Sequence, residues 1–250
     1  MEKIKSFFLS EIKALKADLN IAEYISWWLL RLFMVGVIIY LKVCDPENIN
    51  MQLVLMNIVF TFSIPLARII LSPVKLISKL SYRTQTWLNI IITLGSLCGQ
   101  GLSFNHKISN WDKFLHLLAG AVVVFIGNEL VKIFIDEKKH NVPVLLKSFA
   151  ASGFSYAAVV IWELVEFFSD YYWPESCNQA YNMTPDPEML FFKVFGLGAQ
   201  NEGQWAVFDT DIDMFLAFIG NIVASIVLAV YLHKKEQKKA QLREKETVAA

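Results

Sequence analysis

Six long apolar stretches separated by short polar segments dominate the pattern of this chain. A helix needs about 20 mostly apolar residues to cross the hydrocarbon core of a bilayer. The pattern therefore predicts an all-α, polytopic membrane protein. It forms one membrane domain over 1–232, with six transmembrane helices at about 24–43, 51–71, 85–104, 111–135, 145–170 and 209–232.

The segments outside these stretches have patterns of their own. In 1–20, apolar residues recur at helical spacing opposite lysines, which predicts an amphipathic helix lying in the membrane interface. Acids and lysines interrupt any apolar core there, so no cleavable signal peptide is indicated. The loop 171–208 contains the apolar stretch PDPEMLFFKVFGLGAQ, which predicts an interfacial or re-entrant segment. The basic segment 233–250 predicts a solvated tail attracted to anionic lipid.

Composition agrees with a membrane location. The chain is 55% hydrophobic and only 18% charged, whereas a soluble domain carries about 25% charged residues. The formal net charge is zero, which gives no reason to expect nucleic acid as a partner. The three cysteines follow neither a metal-ligand spacing nor a disulfide framework.

The distribution of Lys and Arg predicts the orientation, because basic loops stay in the cytoplasm. The segment 1–20, the loops 72–84 and 136–144 and the tail together hold 15 basic residues, whereas the other three loops hold only Lys107 and Lys193. Both termini are therefore predicted to be cytoplasmic. Arg31 lies about two turns inside the first span, where snorkelling to the interface is the simplest expectation.

Ionisable residues concentrate at the predicted outer ends of the last three spans. Asp112 and His116 share one helix face, which Gly120 and Gly127 continue. Small residues on such a face allow helices to approach closely. The next two spans show the same kind of stripe. In span five it consists of Glu163, Glu166 and Asp170, and in span six of Asp209, Asp213, Ala217 and Gly220.

Because all three stripes end at one membrane face, we expect a pocket among spans four to six that opens outward. Intramembrane carboxylates are rare and usually face a partner or a cavity. Simpler interpretations remain open: a helix start at the interface for Asp112, a packing role for His116 and helix capping for Asp209. The candidate catalytic residues are Asp112, His116, Glu163, Glu166 and Asp213.

The same residues are candidate ligands of a divalent metal. One imidazole among hard oxygen ligands suits Mn²⁺, Zn²⁺ or Mg²⁺. The candidate set is Asp112, His116, Glu163, Glu166, Asp170, Asp209 and Asp213. Alternatively, carboxylates at different depths could serve as acid and base near His116.

Three motifs carry a family resemblance: Asp112-Lys113-x-x-His116, Trp162-Glu163-x-x-Glu166-x-x-x-Asp170, and Asp209-Thr210-x-x-Asp213 followed by Gly220. In their order and spacing they resemble the YjdF-like membrane proteins, which are related to VanZ-like proteins linked to glycopeptide resistance. The resemblance covers roughly residues 85–230 and implies a bacterial plasma membrane. Two departures stand out. VanZ-like members usually carry Glu-x-x-Gln and then Pro-x-Arg, and both groups place Asn or Asp where this chain has Ala217.

Several classes of function remain open. The first is an enzyme acting on a lipid or lipid-linked cell-envelope precursor at the outer leaflet. The second is a non-catalytic binding or resistance protein that holds an amphipathic ligand or a lipid headgroup. A proton-linked transporter is less favoured, because carriers often show inverted repeats and the sequence shows no internal repeat.

Overall fold

The computed structural model describes residues 2–44, 51–71, 79–135, 142–172, 178–179 and 205–249. Within these ranges the regular structure is entirely helical, which agrees with the all-α prediction. The apolar stretch predicted in the 171–208 loop and Cys177 lie outside the described residues. The helices are α1 (Glu2–Asp18), α2 (Ile21–Cys44), α3 (Met51–Phe60), α4 (Ser63–Ile70), α5 (Arg83–Ile91), a π-helix (Ile92–Gly101), α6 (Phe104–Lys107), α7 (Trp111–Phe134), α8 (Val144–Tyr172) and α9 (Trp205–Ala249).

The chain forms two compact units, Met1–Leu115 and His116–Ala250. Within the described residues, four helices are long and apolar enough to cross a membrane, and the count rises to five if the bent pair of α3 and α4 is one span. The predicted segment at 85–104 is covered by α5 and the π-helix that continues it. The six-span count stays a prediction, as does the single membrane domain.

In the first unit, the second predicted span is a broken helix. Its two halves, Leu53–Phe60 and Ser63–Ile70, meet at an angle of 56°. Pro65 has no N–H to donate to the carbonyl of Thr61 four residues earlier, and such a missing bond commonly kinks a helix. The Arg31 guanidinium supplies the donor instead, with Nη2 2.8 Å from the Thr61 carbonyl oxygen and Nε 3.0 Å from its hydroxyl.

Arg31 therefore does not snorkel as expected from the sequence. Its side chain is only 6% exposed, and its guanidinium carbon lies 3.7 Å from the centre of the Phe62 ring. A carbonyl released by a kink is a strong acceptor in an apolar interior, because no water competes for it. That acceptor holds the arginine inside the unit.

Gln85 on α5 bonds to a second pair of backbone groups at the break between α3 and α4. Its side-chain carbonyl accepts the backbone N–H of Ile64 at 2.8 Å, and its amide nitrogen donates to the carbonyl of Phe60 at 3.2 Å. These two backbone groups would pair with each other in a continuous helix. The fully buried Gln85 side chain is therefore inserted between the two halves and stabilises the bend.

The N-terminal helix is docked on the first unit through a polar cluster. Glu11 of α1 forms a two-pronged ion pair with Arg68 of α4, at 2.8 and 3.1 Å, and accepts the Tyr82 hydroxyl at 2.7 Å. The hydrogen bond from Arg68 holds the pKa of Glu11 below its usual range, whereas burial and the bond to Glu11 raise the pKa of Tyr82 to about 12. The interfacial position predicted for this helix stays a prediction.

The second unit is built by α8, α9 and the part of α7 from His116 onward, and these helices meet at glycines. A Cβ on Gly120 of α7 would overlap the backbone of Ala217 of α9, and a Cβ on Gly220 would overlap the carbonyl of Leu117. A Cβ on Gly127 would lie 2.6 Å from the carbonyl oxygen of Ala151 on α8. The sequence prediction that small residues allow close approach is therefore confirmed at Gly120, Gly127 and Gly220.

The C-terminal basic segment is part of α9. This helix runs 45 residues from Trp205 to Ala249, well beyond the end at 232 predicted from the apolar pattern. The positions after Leu232 are exposed as far as Lys245, and many of them are charged residues and glutamines. Their high helix propensity explains why the helix continues past the apolar stretch. The attraction of this segment to lipid stays a prediction.

Candidate functional site

An imidazole and two carboxylates from three helices meet inside the second unit. The Nδ1 atom of His116 on α7 lies 3.4 Å from Oε1 of Glu163 on α8. The Nε2 atom of the same ring lies 3.9 Å from Oδ2 of Asp213 on α9. All three side chains are buried, with 5%, 5% and 1% of the residue surface exposed in that order. The structure thus brings these three predicted residues together.

Glu166 extends this cluster. It lies on α8 one turn beyond Glu163 and is partly exposed. His116, Glu163 and Glu166 each place one possible metal-ligand atom within 4.8 Å of those of the other two. The indole N–H of Trp162 donates to Oε1 of Glu166 at 2.8 Å, which orients that carboxylate. We call His116, Glu163, Glu166 and Asp213 the histidine–carboxylate cluster.

The chemistry of the four side chains suits a divalent cation. Two ligands about 2.1 Å from a tetrahedral ion lie about 3.4 Å apart, and the Nδ1 to Oε1 distance across His116 and Glu163 is 3.4 Å. Asp213 faces the opposite ring nitrogen, where a carboxylate favours the proton on Nε2 and leaves Nδ1 available as a ligand.

Asp170 has a different environment. Its two carboxylate oxygens accept the backbone N–H groups of Asn178 and Gln179, both at 2.8 Å. The Gln179 amide in turn donates to the carbonyl of Glu163 at 3.3 Å and to the Thr210 hydroxyl at 3.0 Å. Asp170 therefore fixes the turn at Asn178 and Gln179, and the Gln179 side chain bridges α8 and α9. The role of Asp170 as a metal ligand stays a prediction.

The remaining predicted residues lie near the helix starts. Asp112 belongs to the first unit, one helical turn before His116 in α7, and pairs with Lys113 at 3.0 Å. Asp209 is partly exposed in the first turns of α9. Among the described residues of the second unit, Asp209 does not join His116, Glu163 and Glu166 in their group of neighbouring ligand atoms.

Buried polar side chains below the cluster join the three helices. The Ser155 hydroxyl donates to the carbonyl of Gly120 at 2.8 Å, and the Asn221 amide donates to the carbonyl of Ser152 at 2.9 Å. Ser155 is fully buried and Asn221 is 2% exposed. Such bonds in an apolar interior fix the rotation of each helix, and hence the direction in which the cluster residues point.

Sequence reasoning missed Ser155, Asn221 and Gln179. An asparagine in the middle of an apolar span is itself a signal, because polar side chains there usually contact another helix. Ser155 lies in a serine- and alanine-rich stretch whose register cannot be read from composition. Gln179 lies in a loop, and only the folded structure shows that its side chain enters the space between α8 and α9.

Long apolar helices packed through glycines and buried polar groups define a multi-pass α-helical membrane protein. Within that class, the chain belongs to the family of predicted membrane proteins designated DUF2238, which it matches over residues 25–234. It is also similar to an uncharacterised protein of Thermotoga maritima, with 34% identity over 101 residues. That match covers 39% of this chain and 49% of the relative, so the chain spans about half the length of that protein. No solved structure matches the chain.

Proposed function

We propose that this protein binds a divalent metal ion at the histidine–carboxylate cluster and uses the site on a lipid or lipid-linked cell-envelope substrate. The observation that carries the proposal is His116, whose two ring nitrogens face carboxylates from two other helices in a buried setting. Burying two acids and an imidazole is costly unless they share a cation or a proton. Nδ1 of His116, Glu163 and Glu166 would hold the ion, and Asp213 would orient the ring.

A metal bound there would act as a Lewis acid and lower the pKa of a bound water. The residues of the chain have separate roles. Glu163 would supply negative charge at the ion. Glu166 is partly exposed, so it lies between the buried residues of the cluster and the surface of α8. The exposed Trp162 side chain has the amphipathic character of residues at the headgroup level.

The membrane arrangement proposed with this function has six spans and cytoplasmic termini in a bacterial plasma membrane. Its support is the concentration of Lys and Arg in alternate loops. The cluster then lies at the outer ends of α7, α8 and α9, at the level of outer-leaflet headgroups. The YjdF-like and VanZ-like resemblance of the same motifs supports an envelope role.

Metal binding is tested on the full chain, purified in a nonionic detergent and stripped with chelator. Titration with MnCl₂, ZnCl₂ and MgCl₂ should show one site per chain, and His116→Ala or Glu163→Gln should weaken it by at least tenfold. Asp211→Asn is the matched control, because Asp211 is exposed on the same helix as Asp213. Equal affinity in the wild type and both cluster variants would refute the metal site.

The second candidate is a non-catalytic binding or resistance protein, favoured by the near-complete burial of His116, Glu163 and Asp213. Lipids from cells that produce the wild type or Glu163→Gln distinguish the two functions by mass spectrometry. An enzyme changes the abundance of a lipid species only when the cluster is intact. A binding protein leaves the lipid profile unchanged and copurifies with an unmodified ligand.

A further inference from the structure

We propose that the first unit holds a second, separate site, which binds a phosphate-type oxyanion beside Arg31 at the break between α3 and α4. The proposal is independent of the metal site, since none of its residues belongs to the histidine–carboxylate cluster. It rests on a buried cation and on a buried amide whose hydrogen-bonding groups are unmet.

The buried cation is Arg31. Among the described residues no carboxylate pairs with it, and its described hydrogen bonds go to the hydroxyl and carbonyl of Thr61. The faces of Phe62 and Trp28, 3.7 and 5.0 Å from the guanidinium carbon, offset part of the cost of burial. A guanidinium has five N–H donors, so this group retains donors and a full positive charge for an anion.

The unmet amide is Asn57. Its side chain is fully buried, and in the described part of the chain neither amide atom has a hydrogen-bond partner. Asn57 lies one turn before Thr61 on the same face of the helix, the face that Arg31 contacts. An unmet amide in a dry interior is costly, and an oxyanion that accepts a hydrogen bond from Nδ2 of Asn57 would remove part of that cost.

A second buried amide lies on α5, one turn after Gln85, which is inserted into the break. Asn89 of α5 is 5% exposed, its carbonyl oxygen accepts from Gln85 at 2.8 Å, and its amide nitrogen is unmet within the described residues. Two amide N–H₂ groups and a guanidinium are donors, and such a set selects an anion over a cation.

The oxyanion has two sources, a lipid phosphodiester and free inorganic phosphate. The full chain is purified in a nonionic detergent, and its unfolding midpoint is measured with sodium phosphate against sodium chloride at equal ionic strength. Native mass spectrometry of the same sample detects a retained phospholipid. We expect one of two results. Either phosphate raises the unfolding midpoint by about 3 °C or more, which identifies free phosphate as the source, or the mass spectrum shows a retained phospholipid, which identifies the lipid.

Asn57→Leu is the decisive variant. It replaces the unmet amide with an apolar side chain of the same branched shape and the same number of heavy atoms, so the variant should still fold, yet the phosphate shift or the retained lipid should be lost. Arg31→Gln should give the same loss, and Lys42→Gln, at an exposed position of the same helix, should leave the response intact. If neither anion source has an effect on the wild type, or if Asn57→Leu responds fully, the proposal is wrong.

Discussion

The backbone carbonyl of Ala217 occupies the space where a Cβ atom would stand on Gly120, so α7 and α9 meet backbone to backbone at this crossing. We predict that Gly120→Ala destabilises the protein by about 1–3 kcal/mol, because the two helices must separate to admit a methyl group. The measurement is the unfolding midpoint in detergent, followed by circular dichroism.

Gly153→Ala is the control for this prediction. Gly153 lies on the neighbouring helix α8, and a Cβ there would meet no atom within 4 Å. The change should be neutral or should stabilise the helix by up to about 1 kcal/mol, since alanine has the higher helix propensity. If Gly120→Ala and Gly153→Ala had the same midpoint, the backbone contact would not exist in the folded protein.

Ala217, where the resemblance would place Asn or Asp, lies at the same crossing. Its side chain is fully buried, and its Cα and carbonyl carbon lie where α9 passes Gly120. We predict that Ala217→Asn lowers the unfolding midpoint and leaves Mn²⁺ affinity unchanged or weaker. An Ala217→Asn protein that kept its stability and bound Mn²⁺ more tightly would instead show that this position accepts a ligand.

Asp170 is predicted to hold the turn and to contribute nothing to metal affinity. Asp170→Ala removes two charge-assisted bonds to the N–H groups of Asn178 and Gln179, each worth about 1.5–3 kcal/mol. Hydrogen exchange should show loss of protection at those two amides, and titration should show an unchanged metal affinity. Reduced metal affinity with intact amide protection would assign Asp170 to the metal instead.

The positions of α2, α7 and α8 were predictable because apolar length is a local property of the sequence. The stripe that contains His116, Gly120 and Gly127 could also be placed, since helical spacing alone puts these residues on one face. The contacts across helices could not be predicted. The pairing of His116 with Asp213 depends on the rotation of α9, which is fixed by groups such as Asn221.

The broken second span explains why Arg31 does not reach the interface as the sequence predicts. Pro65 signals a weakened helix, but the sequence does not show which donor replaces the missing N–H. An arginine two turns inside a span reaches the interface only if no closer acceptor exists. The carbonyl of Thr61 is such an acceptor, and it belongs to a residue 30 positions away in the chain.

The cluster of Glu11, Arg68 and Tyr82 predicts that docking of α1 depends on pH at both extremes. The pKa of Glu11 is lowered in the folded protein, so its contribution to stability is present above the ordinary carboxyl pKa and is lost as the pH falls through the lowered value. The pKa of Tyr82 is raised from 10.0 to about 12. Its contribution is complete below pH 10.0 and is lost as the pH rises toward 12.

Two variants separate the acid and alkaline effects. Glu11→Gln should lower the unfolding midpoint at neutral pH and should flatten its decline in acid, because no carboxylate remains to be protonated. Tyr82→Phe should remove the decline between pH 10.0 and 12, because no phenol remains to ionise. Tyr24→Phe is the control, since Tyr24 is 40% exposed. This substitution should leave the acid and the alkaline decline of the unfolding midpoint unchanged. An alkaline decline that persisted in Tyr82→Phe would show that another group controls docking in that range.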